Sequence, residues 1–336
     1  MNILILGAGG FIGSNLIEAI VNQHPEWNVT GVDLSNQKIN EFLDKINYVQ
    51  ANVLKDVELI ENLIKASDVV LPLVAIANPS VYVTDPLKVF ELDFESNLAV
   101  IKLCVKYNKR VIFPSTSEVY GMCPDTNGFK EFESNCVTGP ICKQRWIYSC
   151  SKQMLDRVIY AYGERDNLKY TLFRPFNWVG PKLDDITNAN SGTSRVLTQF
   201  LSNIIHNKPI KLVNGGEQSR SFTYISDGID ALLKILENKG DCANKQIFNI
   251  GNPSNLITVA KLAEMVLNIC SEHPKLAEKA RNTKLETISS KEYFGNSYQD
   301  VGCRIPSIEN AKNILGWKPV VNLDEAIKKT ISFYFD

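Results

Sequence analysis

Tyr148 and Lys152 are the two residues whose types and spacing point most directly to chemistry. They lie four positions apart in the stretch Tyr-Ser-Cys-Ser-Lys. On a helix both side chains would therefore share one face. Because a nearby ammonium favours the ionised form of a phenol, we expect Lys152 to lower the pKa of Tyr148. A phenolate beside an oxidised nicotinamide can take the proton of an alcohol while a hydride leaves the alcohol carbon. The pair predicts redox chemistry on a hydroxyl group.

A glycine-rich turn near the N-terminus predicts a binding site for the dinucleotide that such chemistry needs. The sequence Gly-Ala-Gly-Gly-Phe-Ile-Gly at 7–13 follows an apolar strand and opens a helix. Glycines at these places permit the tight turn, the approach of the backbone to a pyrophosphate and close helix–strand packing. Free N–H groups at the start of the helix then meet the phosphates. The alternative is a purely structural turn. The candidate cofactor-binding residues here are Gly7, Gly10, Phe11, Ile12 and Gly13.

Asp33 supports the dinucleotide interpretation and indicates which dinucleotide binds. It ends the second predicted strand, twenty residues beyond Gly13. A carboxylate there can accept a hydrogen bond from a ribose 2′-hydroxyl. The residues that follow, 34–36, include no arginine for a 2′-phosphate, so NAD is favoured over NADP. Asn52 and Val53, after the third strand, are candidates to flank the adenine, with a surface turn as the alternative.

Polar residues follow the fifth predicted strand in the stretch Pro-Ser-Thr-Ser-Glu-Val-Tyr-Gly at 114–121. Side chains at the carboxyl end of a parallel strand project into the ligand crevice. Thr116 is therefore a candidate to hydrogen-bond both the reacting hydroxyl and Tyr148. Turn formation and helix capping are the alternative roles of Ser115, Thr116 and Ser117. Glu118 lies among apolar neighbours, so its carboxylate needs a partner or a raised pKa.

The order of predicted elements indicates one large α/β domain with an appended lobe. Short apolar runs alternate with helical patterns in the first half, which is typical of a doubly wound parallel sheet. We predict a Rossmann-type domain over 1–175 and a smaller α/β substrate lobe over 176–336, with the chain crossing between them. The predicted strands of the first half are Asn2–Leu6, Trp27–Asp33, Ile46–Ala51, Asp68–Val74, Arg110–Pro114 and Tyr170–Arg174. The predicted long helices are Leu87–Tyr107 and Trp146–Gly163, and Thr193–Asn207 is also predicted to be helical.

Composition narrows the class of protein further. A formal net charge of −1 over 336 residues gives no electrostatic reason to expect nucleic acid or a membrane as partner. The first apolar run is too short for a signal peptide or membrane span. The eight cysteines include no C-x-x-C pair, so free thiols in a reducing cytoplasm are expected. None of the three histidines lies in a motif, and we expect no metal site.

With these residues placed, the chain resembles the extended short-chain dehydrogenase/reductase family, of the NAD-dependent epimerase/dehydratase type. The resemblance runs essentially from Met1 to Phe335 and includes the segments GAGGFIG, PSTSEVYG and FRPFNWVGP with the Tyr148/Lys152 pair. Within that family it is similar to the UDP-glucuronic acid decarboxylase domain of the bifunctional polymyxin-resistance enzymes. The segments that carry this closer resemblance are VLPLVAIANP, VFELDFESNL, RWIYSCSKQ, SRVLTQF, PIKLVNGGEQSRSFTYI and SYQDVGCRIPS.

The resemblance implies roles for individual residues. Glu118 matches the family's proposed proton acceptor and Arg304 its proposed proton donor, while Thr116, Tyr148 and Lys152 complete the dehydrogenase triad. The implied activity is NAD-dependent oxidation of UDP-glucuronic acid at C4 followed by decarboxylation, giving UDP-4-keto-pentose or UDP-xylose. A homodimer or higher homo-oligomer is also implied, commonly packed through the two long helices. The implied substrate-binding positions are Ala77, Tyr82, Thr116, Ser117, Arg145, Asn177, Arg195, Lys211, Arg220 and Tyr298.

Cys150 departs from the pattern of the bacterial decarboxylases, which have an apolar residue at this position. Plant UDP-apiose/UDP-xylose synthases have Cys at this position and a second Cys at the position of Ser117. This chain has Ser117 there and therefore lacks the second Cys. We therefore interpret Cys150 as a packed small residue, with ring-contraction chemistry as the alternative. Another nucleotide-sugar C4 epimerase or dehydratase is a further alternative. The alternative that is not an enzyme is a catalytically silent NAD-binding sensor. Such proteins often lose the phenol or the lysine, and this chain retains both.

Overall fold

The computed structural model describes residues 1–187 and 194–336, and it consists of alternating strands and helices. Its first half contains strands β1 (Asn2–Leu6), β2 (Asn28–Asp33), β3 (Asn47–Gln50), β4 (Val69–Pro72), β5 (Arg110–Pro114) and β6 (Tyr170–Pro175). The helices of that half are α1 (Phe11–Gln23), α2 (Val57–Ala66), α3 (Pro79–Thr84), α4 (Pro86–Phe90), α5 (Asn97–Lys106) and α6 (Trp146–Arg165).

The second half contributes shorter strands and seven further helices within the described ranges. Its strands are β7 (Trp178–Val179), β8 (Ile210–Val213), β9 (Ser219–Ser221), β10 (Thr223–Tyr224), β11 (Gln246–Ile250), β12 (Leu256–Thr258), β13 (Leu285–Ile288) and β14 (Cys303–Arg304). Its helices are α7 (Val196–Ile205), α8 (Ile225–Glu237), α9 (Val259–Glu272), α10 (Ala277–Asn282), α11 (Ser290–Phe294), α12 (Glu309–Leu315) and α13 (Leu323–Phe335). Thr193, the first residue of the helix predicted over 193–207, lies outside the described residues.

The central sheet has seven strands in the order β11-β6-β5-β4-β1-β2-β3, and every neighbouring pair is parallel. This confirms the predicted α/β class with a Rossmann-type, doubly wound sheet. The strand order reverses beside β1, since β2 and β4 lie on its two sides and are reached by crossovers in opposite directions. A crevice forms at the carboxyl ends of the strands at such a reversal. The fold therefore predicts a ligand site above β1 and β4.

Two hydrophobic cores lie on the two faces of this sheet. Successive side chains of a strand point to opposite faces, so Ile3 and Ile5 of β1 enter one core while Leu4 and Leu6 enter the other. Helices α1 and α8 cover the first core, and helices α2, α5 and α6 cover the second. Because both faces are covered, the strands are apolar throughout rather than alternating.

The helix predicted over Leu87–Tyr107 is present but is not regular. A π-helical segment, Glu91–Ser96, separates α4 from α5. A π-helical turn holds an extra residue and rotates the side chains that follow it, and such turns occur frequently at functional sites. Here the segment contains Asp93, whose side chain is fully buried. The amphipathic pattern of residues 87–107 predicted a continuous helix and gave no indication of the π-helical turn.

The residues after 176 form small sheets of their own but also return to the large one. Strand β8 pairs with β13, and β9 lies between β12 and β14. Strand β11 joins the edge of the central sheet beside β6, and α8 packs against α1. The division into lobes at 175/176 stays a prediction. No helix in the described ranges has both the length and the apolar character required to cross a bilayer.

Candidate active site

The glycine turn joins β1 to α1 in the geometry expected of a phosphate-binding loop. Gly7 has a φ of +95°, which is a backbone conformation that favours glycine. A Cβ atom added to Gly13 would lie 2.3 Å from the carbonyl oxygen of Gly7, so only glycine fits there. Gly10 is the N-cap residue of α1, and Phe11 and Ile12 form its first turn. Phe11 and Ile12 line the crevice, so the start of α1 lies at its wall.

Asp33 is held against this turn at the end of β2. Its carboxylate accepts hydrogen bonds from the Gly9 N–H at 2.8 Å and from the Leu34 N–H at 2.7 Å. The carboxylate is therefore oriented by backbone groups at the place where an adenosine ribose is expected. Asn52 follows β3 beside β2 and accepts a hydrogen bond from the Leu54 N–H, while Val53 packs at the edge of the second core. Contact of these two residues with adenine stays a prediction.

A single crevice of about 340 Å³ brings most of the predicted site residues together. Lys152 and Arg145 are buried rather than part of its wall, whereas Gly7, Gly10, Gly13, Asp33, Asn52 and Val53 belong to the adjoining glycine turn and strand ends. The predicted residues that line the crevice are Phe11, Ile12, Ala77, Tyr82, Thr116, Ser117, Glu118, Tyr148, Asn177, Arg195, Lys211, Arg220, Tyr298 and Arg304. The crevice is therefore lined by residues as far apart in the sequence as Phe11 and Arg304, which are separated by 293 positions.

Tyr148 lies on the first turn of α6 with its ring fixed on both sides. The ring stacks on that of Tyr82 with centroids 4.7 Å apart and planes 6° apart. Thr116 forms a side-chain hydrogen bond with the phenol oxygen. Because Thr116 Oγ1 already accepts the Glu118 N–H at 3.2 Å, its own proton is free to be donated to the phenol. The phenol is therefore positioned by stacking and by one directed hydrogen bond.

The expectation that Lys152 lowers the pKa of Tyr148 is wrong for this structure. Burial, and after it the negative charge of Asp93, raise the pKa of Tyr148 far above its usual value. The Lys152 ammonium instead donates to the carbonyl oxygen of Pro114 at 3.0 Å and lies 4.8 Å from the centre of the Phe113 ring. Burial lowers the pKa of Lys152 itself, while Asp93 opposes that change.

Asp93 is a charged residue of the site that the sequence did not reveal. Its Oδ2 accepts the Ile76 N–H at 2.9 Å, which holds the loop that leads to Ala77. Its Oδ1 is buried and has no hydrogen-bond partner among residues 1–187 and 194–336. Burial raises the pKa of Asp93 to about 6, against the opposing charge of Lys152. A carboxylate that interacts electrostatically with both Lys152 and Tyr148 sets the proton affinity of the pair.

Glu118 lies between two arginines that come from distant parts of the chain. Arg145 Nη2 is 2.7 Å from Glu118 Oε2, and Arg304 Nη1 donates to Oε1. Burial alone would raise the pKa of Glu118, but the charges of Arg145 and Arg304 outweigh it and lower the pKa to about 2. The partner that the sequence required for this carboxylate is therefore a pair of guanidinium groups. Together the three side chains carry one net positive charge close to Tyr148.

A second set of charged and aromatic side chains lines the crevice next to Glu118 and Arg304. Arg220 Nη2 is 2.7 Å from Asp300 Oδ1, and β14 places Arg304 opposite Arg220 in register. The Tyr298 ring stacks on Phe294 at 4.0 Å. The Arg145 guanidinium lies 5.5 Å from the centre of the Tyr298 ring. Cationic groups that can bind a diphosphate thus lie beside flat apolar surfaces that can accept a base or a sugar.

Three more predicted residues, Asn177, Arg195 and Lys211, lie on the wall built by the second half of the chain. Arg195 Nη2 pairs with the carboxylate of Asp184 at 2.5 Å, and Lys211 is exposed on β8. Asn177, with a φ of +41°, donates to the carbonyl oxygen of Ser221 at 3.1 Å. The pairing of Arg195, like that of Arg220 and Arg304, was not apparent from the sequence, because each acidic partner lies on a separate loop or strand end.

A buried polar network fixes α6 to the sheet beneath the site. Ser115 Oγ donates to Asp156 at 2.8 Å, and Asp156 pairs with Arg174 at 3.0 Å. Arg174 also donates to the hydroxyl of Tyr120 at 2.8 Å, and that hydroxyl donates to Asn249 at 2.9 Å. The network joins β5, α6, β6 and β11. It ties α6, the helix that carries Tyr148, to the ends of these strands.

The interpretation of Cys150 as a packed small residue is wrong. Its side chain is exposed on the outer face of α6, although it is only two residues from Tyr148. A helix turns by about 100° per residue, so the side chain two positions after an inward-facing tyrosine points away from the crevice. Cys150 does not belong to the crevice lining of the described residues, and ring-contraction chemistry stays an untested alternative.

A family model matches most of the chain. The model of the NAD dependent epimerase/dehydratase family covers residues 3–251. The matched region contains the glycine turn, the 114–121 segment and the Tyr148/Lys152 pair. It ends just after β11, the last strand of the central sheet.

Solved structures extend the similarity to the whole chain. The PbgP3 protein from Burkholderia pseudomallei is 44% identical with a TM-score of 0.90, and the match covers 99% of this chain and 96% of that one. Two structures show the shared fold at 20% identity. They are the UDP-glucuronic acid 4-epimerase of Bacillus cereus with UDP-glucuronic acid and NAD (TM-score 0.82, 99% and 98% covered) and the dTDP-glucose 4,6-dehydratase of Bacillus anthracis with NAD (TM-score 0.79, 99% and 96% covered).

Proposed function

Because the chain belongs to the NAD dependent epimerase/dehydratase family, we propose that it oxidises UDP-glucuronic acid at C4 and then releases the sugar carboxyl group as CO₂. The observation that carries the proposal is the Arg145–Glu118–Arg304 centre beside Tyr148. An anion-binding centre next to the phenol suits a sugar that carries a carboxylate near the hydroxyl to be oxidised. A neutral sugar has no group that needs it.

The residues of the glycine turn fit NAD, the cofactor of the family. A Cβ at Gly13 would fill the close contact between helix and turn, and Asp33 offers a carboxylate oriented by backbone N–H groups. Gly7, Gly10, Phe11, Ile12 and Gly13 would hold the pyrophosphate through the start of α1. When bound, the oxidised nicotinamide supplies a hydride acceptor and a positive charge. That charge would offset the effects of burial and of Asp93, which raise the pKa of Tyr148.

Tyr148 takes the proton of the C4 hydroxyl as the hydride leaves C4. Thr116 holds the phenol oxygen in place, and the buried ammonium of Lys152 compensates the negative charge that develops. The product of this step is a ketone at C4, β to the carboxylate on C5. When the C5–C6 bond breaks, CO₂ leaves and its electron pair moves into an enolate across C4 and C5. A proton added at C5 completes the 4-keto-pentose.

The sugar carboxylate competes with Glu118 for Arg304 in this scheme. While both arginines hold Glu118, its pKa of about 2 makes it a weak proton acceptor. When Arg304 turns to the substrate carboxylate, Glu118 loses one of the two main positive charges that lower its pKa. Its pKa then rises, and Glu118 becomes able to carry a proton to or from the reacting sugar. Arg220 and Lys211 would bind the diphosphate, and Ala77, Tyr82, Ser117, Asn177, Arg195 and Tyr298 would enclose the rest of the nucleotide sugar.

Incubation of the protein with UDP-glucuronic acid and NAD⁺ tests the proposal. Equal amounts of CO₂ and NADH would indicate release of UDP-4-keto-pentose, and CO₂ without net NADH would indicate reduction in place to UDP-xylose. An inverted C4 centre with no CO₂ would replace the proposal by a C4 epimerase. Binding of NAD without turnover of any nucleotide sugar would replace it by a sensor role.

The charge of Asp93 should set the pH range of the oxidation. In the Asp93→Asn variant we expect both limbs of the pH profile of kcat/KM to move to lower pH by about 0.5–1 unit. Above its pKa of about 6 the Asp93 carboxylate is ionised. After burial it is the main cause that raises the pKa of Tyr148, and it also raises that of Lys152. Removing it lowers both, while Glu118 and Asp156 keep their charges.

The profile is measured from initial rates of CO₂ release, which accompanies either product. Glu95→Gln is the matched control, because Glu95 lies on the same π-helical segment but is exposed. Its profile should coincide with that of the unaltered protein. A profile of Asp93→Asn that shows no displacement relative to Glu95→Gln would rule out electrostatic control by Asp93.

We also propose a homodimer that packs through the long helices of each subunit. Leu87 at the start of α4 and Met154 and Tyr160 on α6 are large apolar or aromatic side chains that are 69%, 51% and 49% exposed. Burial of such side chains against a second copy is favourable. Light scattering should give twice the chain mass of 37.7 kDa, and Met154→Glu should shift it toward 37.7 kDa. A monomeric mass for the unaltered protein would contradict the proposal.

A further inference from the structure

One face of α7 forms a wall of the crevice, and none of its side chains is among the predicted site residues. The face consists of Val196, Gln199, Phe200 and Asn203, at the spacing of one side of a helix. Two of these four side chains are amides, although a helix face that is turned inward is normally apolar. Gln199 is only 6% exposed. A buried amide needs hydrogen-bond partners, so its surroundings show what it can bind.

A chain of hydrogen bonds fixes the orientation of the Gln199 amide. Asn203 Nδ2 donates to the carbonyl oxygen of Pro209 at 3.0 Å. Because a carbonyl oxygen can only accept, the Asn203 amide must present its Oδ1 on the other side. Gln199 Nε2 donates to that Oδ1 at 2.9 Å. The amide nitrogen of Gln199 is therefore turned toward Asn203, and the amide oxygen of Gln199 points away from this hydrogen bond.

The remaining oxygen is a buried acceptor without a donor. Gln199 Oε1 has no hydrogen-bond partner among the residues described, 1–187 and 194–336. An unpaired buried acceptor is destabilising unless a ligand satisfies it. Rotation of the amide would not help, since its nitrogen would then lose Asn203 and two oxygens would face each other. The fold therefore leaves one acceptor unpaired on a residue of the crevice wall, and a ligand that brings an N–H or O–H group would satisfy it.

We propose that Gln199 selects the base of the nucleotide by accepting a hydrogen bond from the imide N3–H of uracil. This inference rests on the proposed function, in which the crevice binds a UDP-sugar. Uracil carries a donor at N3, whereas the N3 of cytosine is an acceptor and would oppose Gln199 Oε1. Phe200 on the same helix face and Phe294 across the crevice offer apolar surface for the base. Thymine shares the imide group, so the proposed selection is for the imide and not for the C5 position.

Titration calorimetry with UDP, dTDP, CDP and 3-methyl-UDP tests the proposal on the intact protein with NAD present. The unaltered protein should bind UDP about 10- to 100-fold more tightly than CDP or 3-methyl-UDP, because each of these leaves the buried oxygen unpaired. Gln199→Met has nearly the same shape but no acceptor. It should bind UDP and CDP within about threefold of each other, at the weaker level. If the affinity for dTDP equals the affinity for UDP in both proteins, the protein selects for the imide alone. If dTDP binds weakly, the protein also discriminates by the substituent at C5 of the base.

Asn203→Leu tests the orienting hydrogen bond separately, because it leaves the Gln199 amide free to rotate. Its preference for UDP over CDP should fall between those of the unaltered protein and Gln199→Met. NAD binding and the melting temperature show that each variant is folded.

The outcomes separate this inference from the proposed function. If UDP does not bind the unaltered protein at all, the nucleotide-sugar function is wrong and the inference is wrong with it. If UDP binds but CDP and 3-methyl-UDP bind equally well, only the inference is overturned. A full preference for UDP in Gln199→Met also overturns it, and a full preference in Asn203→Leu overturns the orienting role of Asn203.

Discussion

Tyr148→Phe should lower kcat for NADH formation by about 1,000-fold or more while NAD and UDP bind within about threefold of the unaltered protein. The substitution removes one oxygen atom, which is the group that the proposed mechanism uses to take the C4 hydroxyl proton. The phenyl ring keeps its stack on Tyr82, with centroids 4.7 Å apart, so the wall of the crevice is preserved. Loss of rate without loss of binding identifies a group that acts in the transition state.

Stopped-flow absorbance of NADH in a single turnover measures this step, and calorimetry measures the two binding constants. Tyr162→Phe on the same helix is the matched control, because Tyr162 is half-buried at the edge of the second core and does not line the described crevice. It should leave the rate unchanged. If Tyr148→Phe retained a tenth of the original rate, another group would have to be the base and the proposed mechanism would be abandoned.

Arg304→Met should abolish the preference for a carboxylated sugar and lower the rate of CO₂ release by about 100- to 1,000-fold. Arg304 is the charge proposed to leave Glu118 for the substrate carboxylate. Methionine keeps much of the length of the side chain without the charge. Glu118 keeps Arg145 at 2.7 Å, so its buried carboxylate is not left unpaired and the fold should persist.

The measurement compares binding of UDP-glucuronic acid with that of UDP-glucose, together with release of labelled CO₂. The unaltered protein should prefer UDP-glucuronic acid, and Arg304→Met should bind both equally, with UDP itself unaffected. Arg281→Met, which removes an exposed arginine that does not line the described crevice, is the control. Decarboxylation at the original rate by Arg304→Met would mean that the Arg145–Glu118–Arg304 centre does not bind the carboxylate.

The local features of this protein were predictable because short segments determine them. The glycine turn at 7–13 needs only a strand, a tight turn and a helix in succession, and the structure has them in that order. The alternation of Ile3, Leu4, Ile5 and Leu6 between two cores follows from the geometry of one strand. The spacing of Tyr148 and Lys152 likewise follows from the helical repeat. The family's cofactor, NAD, follows from these same segments.

The tertiary structure decided the electrostatics of the site. The sequence showed that Glu118 needs a partner, but the partners are Arg145 and Arg304, which packing brings from positions 27 and 186 residues away. Asp93 lies on the π-helical segment that interrupts a helix, and its charge helps to reverse the expected direction of the Tyr148 pKa shift.

The same distinction applies to side-chain direction. Exposure of Cys150 depends on which face of α6 meets the sheet. The orientation of Gln199 depends on Asn203 and, through it, on the carbonyl of Pro209 beyond the end of α7. The sequence by itself therefore determined the elements and the reactive groups, since backbone geometry and periodicity are local. Charge, burial and hydrogen-bond direction were decided by the tertiary structure, because they depend on distances between residues that are remote in the chain.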